Sequence, residues 1–423
     1  MHLNDYIKNH DYENNQNICI FMPINQPSAC TSSSSNSGGV KEGKLFTLDI
    51  NNLSNEVHTV YFSELMESVE FFQLDTVPEA FTSIPSLSIS ENYFLVIGTR
   101  TPCKLFRRSD GKYLNDISRR GQGPGEYWLI NGGIIDEQRE RIYLIDSQRD
   151  YLMAYDMNGK YMEEDNIPLP GYIQWGKIYL NKDNALVFTT PTDAGTNKIL
   201  GNFVETLADK HLCWVQDLKG NVLKSTPSDR VIMSIEKRHS NVLYVSRLSP
   251  ESPIYTYTIH QRDVYQGDTL YHYNAEKNLF YPAYTTNLTH NSYTLIASVE
   301  SPLHYYTTHQ IYKEGQINSG GNLKKCRMIQ VDKKTGKARY IRIVNDLISG
   351  DEVVPYFFQT WITDNGLVIT YSNDPLELKE GLEKVLKTNT KMEASLRERL
   401  TKLKDSLHEE SNNVIFIYKF KKE

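Results

Sequence analysis

The densest run of chemically capable side chains is Arg119-Arg120-Gly121-Gln122-Gly123-Pro124-Gly125-Glu126-Tyr127. Two guanidinium groups, a carboxamide, a carboxylate and a phenol stand together there, a set suited to gripping an anionic group such as a carboxylate or a sugar acid. The three glycines invite comparison with a phosphate cradle, but no Lys-Ser/Thr follows and no helical pattern opens behind them to supply a dipole. A tight crossover between two sheet units accounts for them better, since glycine reaches backbone conformations closed to other residues. Such a crossover can face a central channel, which makes Arg119, Arg120, Gln122, Glu126 and Tyr127 the ligand-binding candidates.

Other constellations carry less. His304, Tyr305, Tyr306 and His309 form the densest His/Tyr cluster, and Glu300 is the only carboxylate near it at ligand spacing. A strand or loop of mixed packing and surface roles explains that cluster better than a metal site. Trp128, Trp175, Trp214 and Trp361 could stack on sugar rings, although a lone tryptophan in a sheet is more often packing. The chain has no Gly-x-Ser-x-Gly elbow, no His-Glu-x-x-His and no Cys/His nucleophile pattern, so no catalytic residue is assigned. Cys19, Cys30, Cys103, Cys213 and Cys326 are far apart, with no zinc-type spacing and no disulfide framework.

Positioning any of these residues falls to a β-rich chain. Of 423 residues, 28 are tyrosine, a composition that favours pleated, half-buried strand surfaces. The net charge of −6 is mild and the basic residues are scattered, so nucleic acid is excluded as a partner. From Leu45 onward, short strand-like runs alternate with turns. One unit reads Ser86–Ile89, Tyr93–Ile97, Cys103–Arg108 and, after Ser109-Asp110-Gly111-Lys112, Tyr113–Ile117. The next reads Gly133–Asp136, Arg141–Asp146 and Tyr151–Asp156, turns at Met157-Asn158-Gly159-Lys160, and ends near Tyr161-Met162. Degenerate copies close on Asp217 and Asp332, and Tyr-rich strands such as Tyr255–Ile259 fill the stretch between about 230 and 300. In each copy the glycine supplies positive φ and the aspartate can bind the backbone two residues on.

A succession of four-stranded meanders is one grammar of a β-propeller. The expected fold is all-β: one six-bladed propeller over residues 43–423, with seven blades also compatible. Asp374, Pro375 and Glu377 start a helical insertion over about 375–410. Leu376, Leu382, Val385 and Leu386 line its first helix, and Met392, Leu396, Leu400, Leu403 and Leu407 its second. The chain returns to β at Val414–Phe420, beside which Leu45–Ile50 or Val57–Phe62 could pair to join the two ends.

Residues 1–42 read as a disordered leader. Ser28-Ala29-Cys30 followed by the Ser/Gly-rich stretch Thr31–Gly39 is similar to the end of a bacterial lipoprotein signal, although the hydrophobic region of such a signal is missing. Three features together resemble the six-bladed β-propeller lipoproteins of bacteroidete-type bacteria, with NHL-like and TolB-like propellers. These are the segment from Phe62-Ser63-Glu64-Leu65 to Phe71-Phe72-Gln73-Leu74, the Ser-Asp-Gly-Lys turn at Ser109–Lys112, and Arg119–Tyr127. The likeness is strongest over about residues 60–170. It implies an envelope location and lipidation at Cys30, and it hands over no catalytic residues. The expected function is a non-enzymatic, envelope-tethered monomer that binds a small molecule, glycan or envelope protein and touches the membrane only through its lipid. If the N-terminus as written is authentic, the location is cytoplasmic. The alternative is a lactonase-like hydrolase or lyase with a divalent metal in the central channel, its ligands unknown.

Overall fold

The computed structural model describes residues 41, 43–82, 84, 86–98, 101–173, 176–189, 210–227, 242–247, 252–260, 269–288, 294–312, 323–353, 362–364, 366–371 and 375–422. Cys30, Trp175, Trp361 and Asp374 lie outside them.

The described residues are mostly β and fall into six sheets. The first holds Ser86–Ile89, Tyr93–Ile97, Cys103–Arg107 and Tyr113–Ser118; the second Ile130–Asp136, Arg141–Asp146, Tyr151–Asp156 and Ile167–Pro168. The third holds Gly176–Leu180, Asn184–Thr189, His211–Asp217 and Val222–Pro227. In the fourth are Val242–Arg247, Ile254–His260, Leu270–Asn274 and Leu279–Thr286; in the fifth, Thr294–Glu300, His304–Tyr312, Leu323–Asp332 and Ala338–Val344. The sixth combines Ile362–Thr363, Gly366–Tyr371 and Val414–Phe420 with the N-terminal strand Met66–Gln73. Each core is an antiparallel meander, the arrangement that short turns between successive strands permit.

Runs such as Tyr93-Phe94-Leu95-Val96-Ile97 are continuously apolar because both faces of the sheet are covered. Leu95 and Ile97 pack with Ile142, Leu144 and Tyr155 of the second sheet, whereas Phe94 and Val96 pack with Ile415 and Ile417 of the sixth. Four further clusters join the second sheet to the third, third to fourth, fourth to fifth and fifth to sixth. Strands such as Tyr93–Ile97 and Asn184–Thr189 thus share their side chains between two neighbouring cores.

The repeated turns work as the sequence suggests, and do one thing more. Asp156 accepts hydrogen bonds from the amides of Asn158 and Lys160 at 2.9 Å, and Gly159 sits at φ 81°. A side chain at Gly159 would also strike the Asp116 carbonyl and approach Ile117, because the turn lies against the outermost strand of the preceding sheet. The glycine therefore answers a packing demand between sheets as well as a conformational one.

The N-terminal segment departs from expectation. Neither of the two stretches expected beside Val414–Phe420 takes that place. Phe46–Leu48 runs parallel to Leu279–Thr286 on the fourth sheet, and Val57–Tyr61 parallel to Ala338–Val344 on the fifth. After a single turn of helix, α1 (Phe62–Leu65), Met66–Gln73 pairs antiparallel with Val414–Phe420, Gln73 opposite Val414. Nothing local distinguishes these segments; what separates them is which core each joins, Phe46 and Leu48 entering the one between the fourth and fifth sheets, and Val60, Met66 and Val69 the one between the fifth and sixth. Residues 45–73 form a belt across the outer edges of three consecutive sheets. In the second sheet, the last strand is Ile167–Pro168 rather than Tyr161-Met162, since Tyr161 makes only a lone bridge to Tyr155.

Two helices interrupt the sixth sheet, α2 (Pro375–Thr388) and α3 (Ala394–Ser406). Leu378, Leu382, Val385, Leu400, Leu403 and Leu407 join the cluster between the fifth and sixth sheets. Each side chain so buried contributes roughly 1.5–3 kcal/mol. Leu376, expected on the apolar stripe, is 38% exposed, and Leu378 faces the core in its place. Among the described residues no helix is long and apolar enough to cross a membrane.

Candidate functional site

The crossover from the first sheet to the second is a locally closed structure. Glu126 lies at its centre: Oε2 accepts from the Gly123 amide at 2.9 Å and Oε1 from Arg119 Nε at 2.8 Å. The Gly123 amide and the Arg119 guanidinium hold its carboxyl below the usual carboxylate range. Of the three glycines only Gly125 has positive φ, 72°. Gly121 matters for space, since a Cβ there would displace the Glu126 carboxylate from its present position. The expectation that all three serve unusual backbone angles is corrected on this point.

Tyr127 points inward. Its hydroxyl donates to the Gly98 and Thr101 carbonyls at 2.9 and 3.0 Å, and burial raises its pKa far above the ordinary phenol value, so it stays a neutral donor. Arg119, Arg120 and Gln122 are the outward members of the set, and of these Arg119 is already paired with Glu126. The Arg120 guanidinium stands 5.1 Å from the Trp128 ring, which is 45% exposed, and Leu129 beside it is 49% exposed.

A buried carboxylate pins this exposed pair. Asp146, 1% exposed, accepts from the amides of Trp128 at 2.8 Å, Leu129 at 3.2 Å and Gln148 at 3.1 Å. Arg149 sits 3.5 Å from Asp146 and donates to the Glu126 carbonyl at 3.1 Å. A rigid backbone presenting an aromatic face with a cation above it can stack on a flat or ring-shaped ligand while offering hydrogen bonds to an acid. Asp146 was not singled out from the sequence, where it reads as the end of a strand.

A second polar cluster joins distant parts of the chain. Asp364, on the turn between Ile362–Thr363 and Gly366–Tyr371, accepts the Tyr179 hydroxyl at 2.9 Å and the Arg247 amide at 2.5 Å through Oδ1. Its Oδ2 lies 3.9 Å from Lys177 Nζ. The Arg247 guanidinium stacks 5.0 Å from the Tyr255 ring and donates to its hydroxyl. Burial, reinforced by Asp364, drives the Tyr179 pKa well above the ordinary value. This clasp ties the third, fourth and sixth sheets. Sequence separations of 185 and 117 residues left no local signal for it.

The His/Tyr cluster separates into packing roles. Tyr305 packs between the fourth and fifth sheets and Tyr306 between the fifth and sixth. Glu300 turns away from His304 and His309: it pairs with His272 Nε2 at 2.7 Å and with Lys333. Burial opposes its charge, but Lys333 and His272 outweigh that penalty and lower its pKa to about 2. Trp214 is fully buried and donates to Gln216 Oε1 at 2.8 Å. Among the described residues, no three His, Cys, Asp or Glu side chains come together as a metal site.

A family model described as a domain of unknown function, DUF4934, matches residues 45–419. No curated protein matches the sequence. Among solved structures, a protein from Bacteroides fragilis provisionally described as exported is 14% identical, with 89% of this chain and 100% of that one covered and a TM-score of 0.49. A member of the DUF4221 family from Bacteroides vulgatus is 12% identical, with 85% and 98% covered and a TM-score of 0.44.

Proposed function

This chain belongs to the DUF4934 family, and on that footing we propose that it is a closed six-bladed β-propeller serving as a non-enzymatic binding module of the cell envelope. Closure is supported by the cluster that joins the sixth sheet back to the first and by the N-terminal strand that completes the sixth. Radial closure of this kind leaves only short, protected edges. In such a ring the crossovers lead into the innermost strands at one end, and Asp364, on the turn after an innermost strand, lies at the other. The clasp then forms a floor, and ligands enter past the crossovers. Cys30 is the proposed lipid site, which would hold a monomer at the membrane without a spanning segment.

The observation that carries the binding assignment is Arg120 stacked on an exposed Trp128 whose backbone is pinned by Asp146. Gln122 and Arg119 extend the polar rim, and Glu126 and Tyr127 hold it in shape. A carboxylate-bearing sugar fits: its ring lies on the indole and its acid meets Arg120. The test is calorimetric titration of protein beginning near Gly43 with oligogalacturonate and with neutral galactose oligomers. The acidic sugar is expected to bind, and Trp128→Ala and Arg120→Ala to weaken it by about tenfold or more with unchanged melting temperature. Equal binding of both sugars, or indifference to both substitutions, overturns the assignment. For the anchor, radioactive fatty acid fed to the native host should label wild type and leave Cys30→Ala unlabelled.

A further inference from the structure

A groove of about 390 Å³ lies on the outer rim, between α3, the strand Met66–Gln73 and the turn at Ser109-Asp110. Phe71 and Phe72 both line it, although successive strand residues point to opposite faces of a sheet. Phe71 packs near Phe416 of its own sheet, and Phe72 near Phe94 of the first. A groove that touches both must run across the edge of the strand. That edge pairs with no other strand among the described residues, because Met66–Gln73 is the terminal strand of the sixth sheet.

The molecule itself shows what such an edge accepts. On the fourth and fifth sheets, the outermost strand takes a further strand laid alongside it, Phe46–Leu48 and Val57–Tyr61. Among the described residues the sixth sheet lacks that addition. Its groove carries positive charge on the helical wall: the Arg399 guanidinium lies 4.7 Å from the Phe71 ring, and Lys402 points from the next turn. Lys402 is engaged only by Glu398 in an exposed pair, a contact worth little and readily exchanged. On the opposite lip Asp110 is gripped by the fork of Arg107, at 2.9 and 2.7 Å, so its charge is already matched.

We propose that this groove is a strand-addition site for an extended acidic peptide of a partner protein. The peptide backbone pairs with the edge at Phe71–Gln73, the part of the strand that lines the groove, an apolar side chain rests on Phe71 or Phe72, and acidic side chains meet Arg399 and Lys402. The surface is separate from the Trp128 platform and does not depend on it.

Fluorescence anisotropy on the full chain tests this with a fluorescein-labelled hexapeptide alternating aspartate with valine and phenylalanine, and with its lysine counterpart. At low salt the acidic peptide is expected to bind about tenfold or more tighter than the basic one. Arg399→Gln combined with Lys402→Gln should weaken it by a similar factor with unchanged melting temperature. N-methylation of alternate peptide bonds should abolish binding, and Trp128→Ala should leave it intact, so failure here is distinguishable from failure of the sugar site. No binding of the acidic peptide at millimolar concentration, equal binding of both peptides, or tolerance of N-methylation overturns the proposal.

Discussion

The crossover at Arg119–Tyr127 and the clasp around Asp364 are each organised by one carboxylate, yet they span very different lengths of chain. Glu126 gathers Arg119 and Gly123, partners within seven residues. Asp364 gathers Tyr179 and Arg247 from two other sheets. The first can form wherever its nine residues find the right turn; the second exists only once three sheets are in place. The carboxylate network of the loop is thus local, although the second sheet braces it through Arg149 and Tyr161, while the clasp reports on the assembly of three sheets.

Substitutions at both sites would break or sharpen that contrast. The largest effect is expected from Gly125→Ala, which places a side chain at φ 72° and within 2.6 Å of the Tyr161 Cβ. The cost should be roughly 2–3 kcal/mol, read from the urea midpoint; a neutral outcome would show that the loop relaxes independently of the second sheet. Next comes Asp364→Ala, which strips an acceptor from the Tyr179 hydroxyl and the Arg247 amide and should cost about 1–3 kcal/mol. In a cycle with Tyr179→Phe the two losses should fail to add by about 1 kcal/mol, and strict additivity would remove the cross-sheet contact from the account.

The smallest effect belongs to Arg119→Ala, whose side chain is 75% exposed; its urea midpoint should barely move, since exposed pairs contribute little. Acid sharpens the same point. The folded-state carboxyl of Glu126 titrates below its usual range, so whatever it contributes is present above the unfolded value and is lost as pH falls through the folded one. Unfolding curves of wild type and Glu126→Gln should therefore converge on the acid side. A gap that persists there would mean the amide, and not the charge, organises the loop.

Legibility in the sequence followed the same divide. Tyr93–Ile97 and Val414–Phe420 were readable to the residue because an apolar run between turn signals is a local pattern. Pro375 marked the start of α2 for the same reason. Which N-terminal stretch completes the sixth sheet was not readable, since Phe46–Leu48, Val57–Tyr61 and Met66–Gln73 all look like strands and only their burial partners differ. At the candidate site, residue type alone was enough to nominate Arg119, Arg120, Gln122, Glu126 and Tyr127. The role of Asp146 could not be, because its partners lie 17 and 18 residues upstream across a turn of unknown geometry.

The belt formed by residues 45–73 also has a mechanical consequence. Tension arriving from the N-terminal side meets three pairings in series, of three, five and seven residue pairs. The shortest lies outermost along the load path and the longest is locked into the sixth sheet. Force is thus expected to be taken up in graded steps at the rim before it reaches the cores between the sheets. Single-molecule pulling from the N-terminus should record early, small yields ahead of one cooperative rupture, and a single undivided rupture would show that the belt carries its load as one piece.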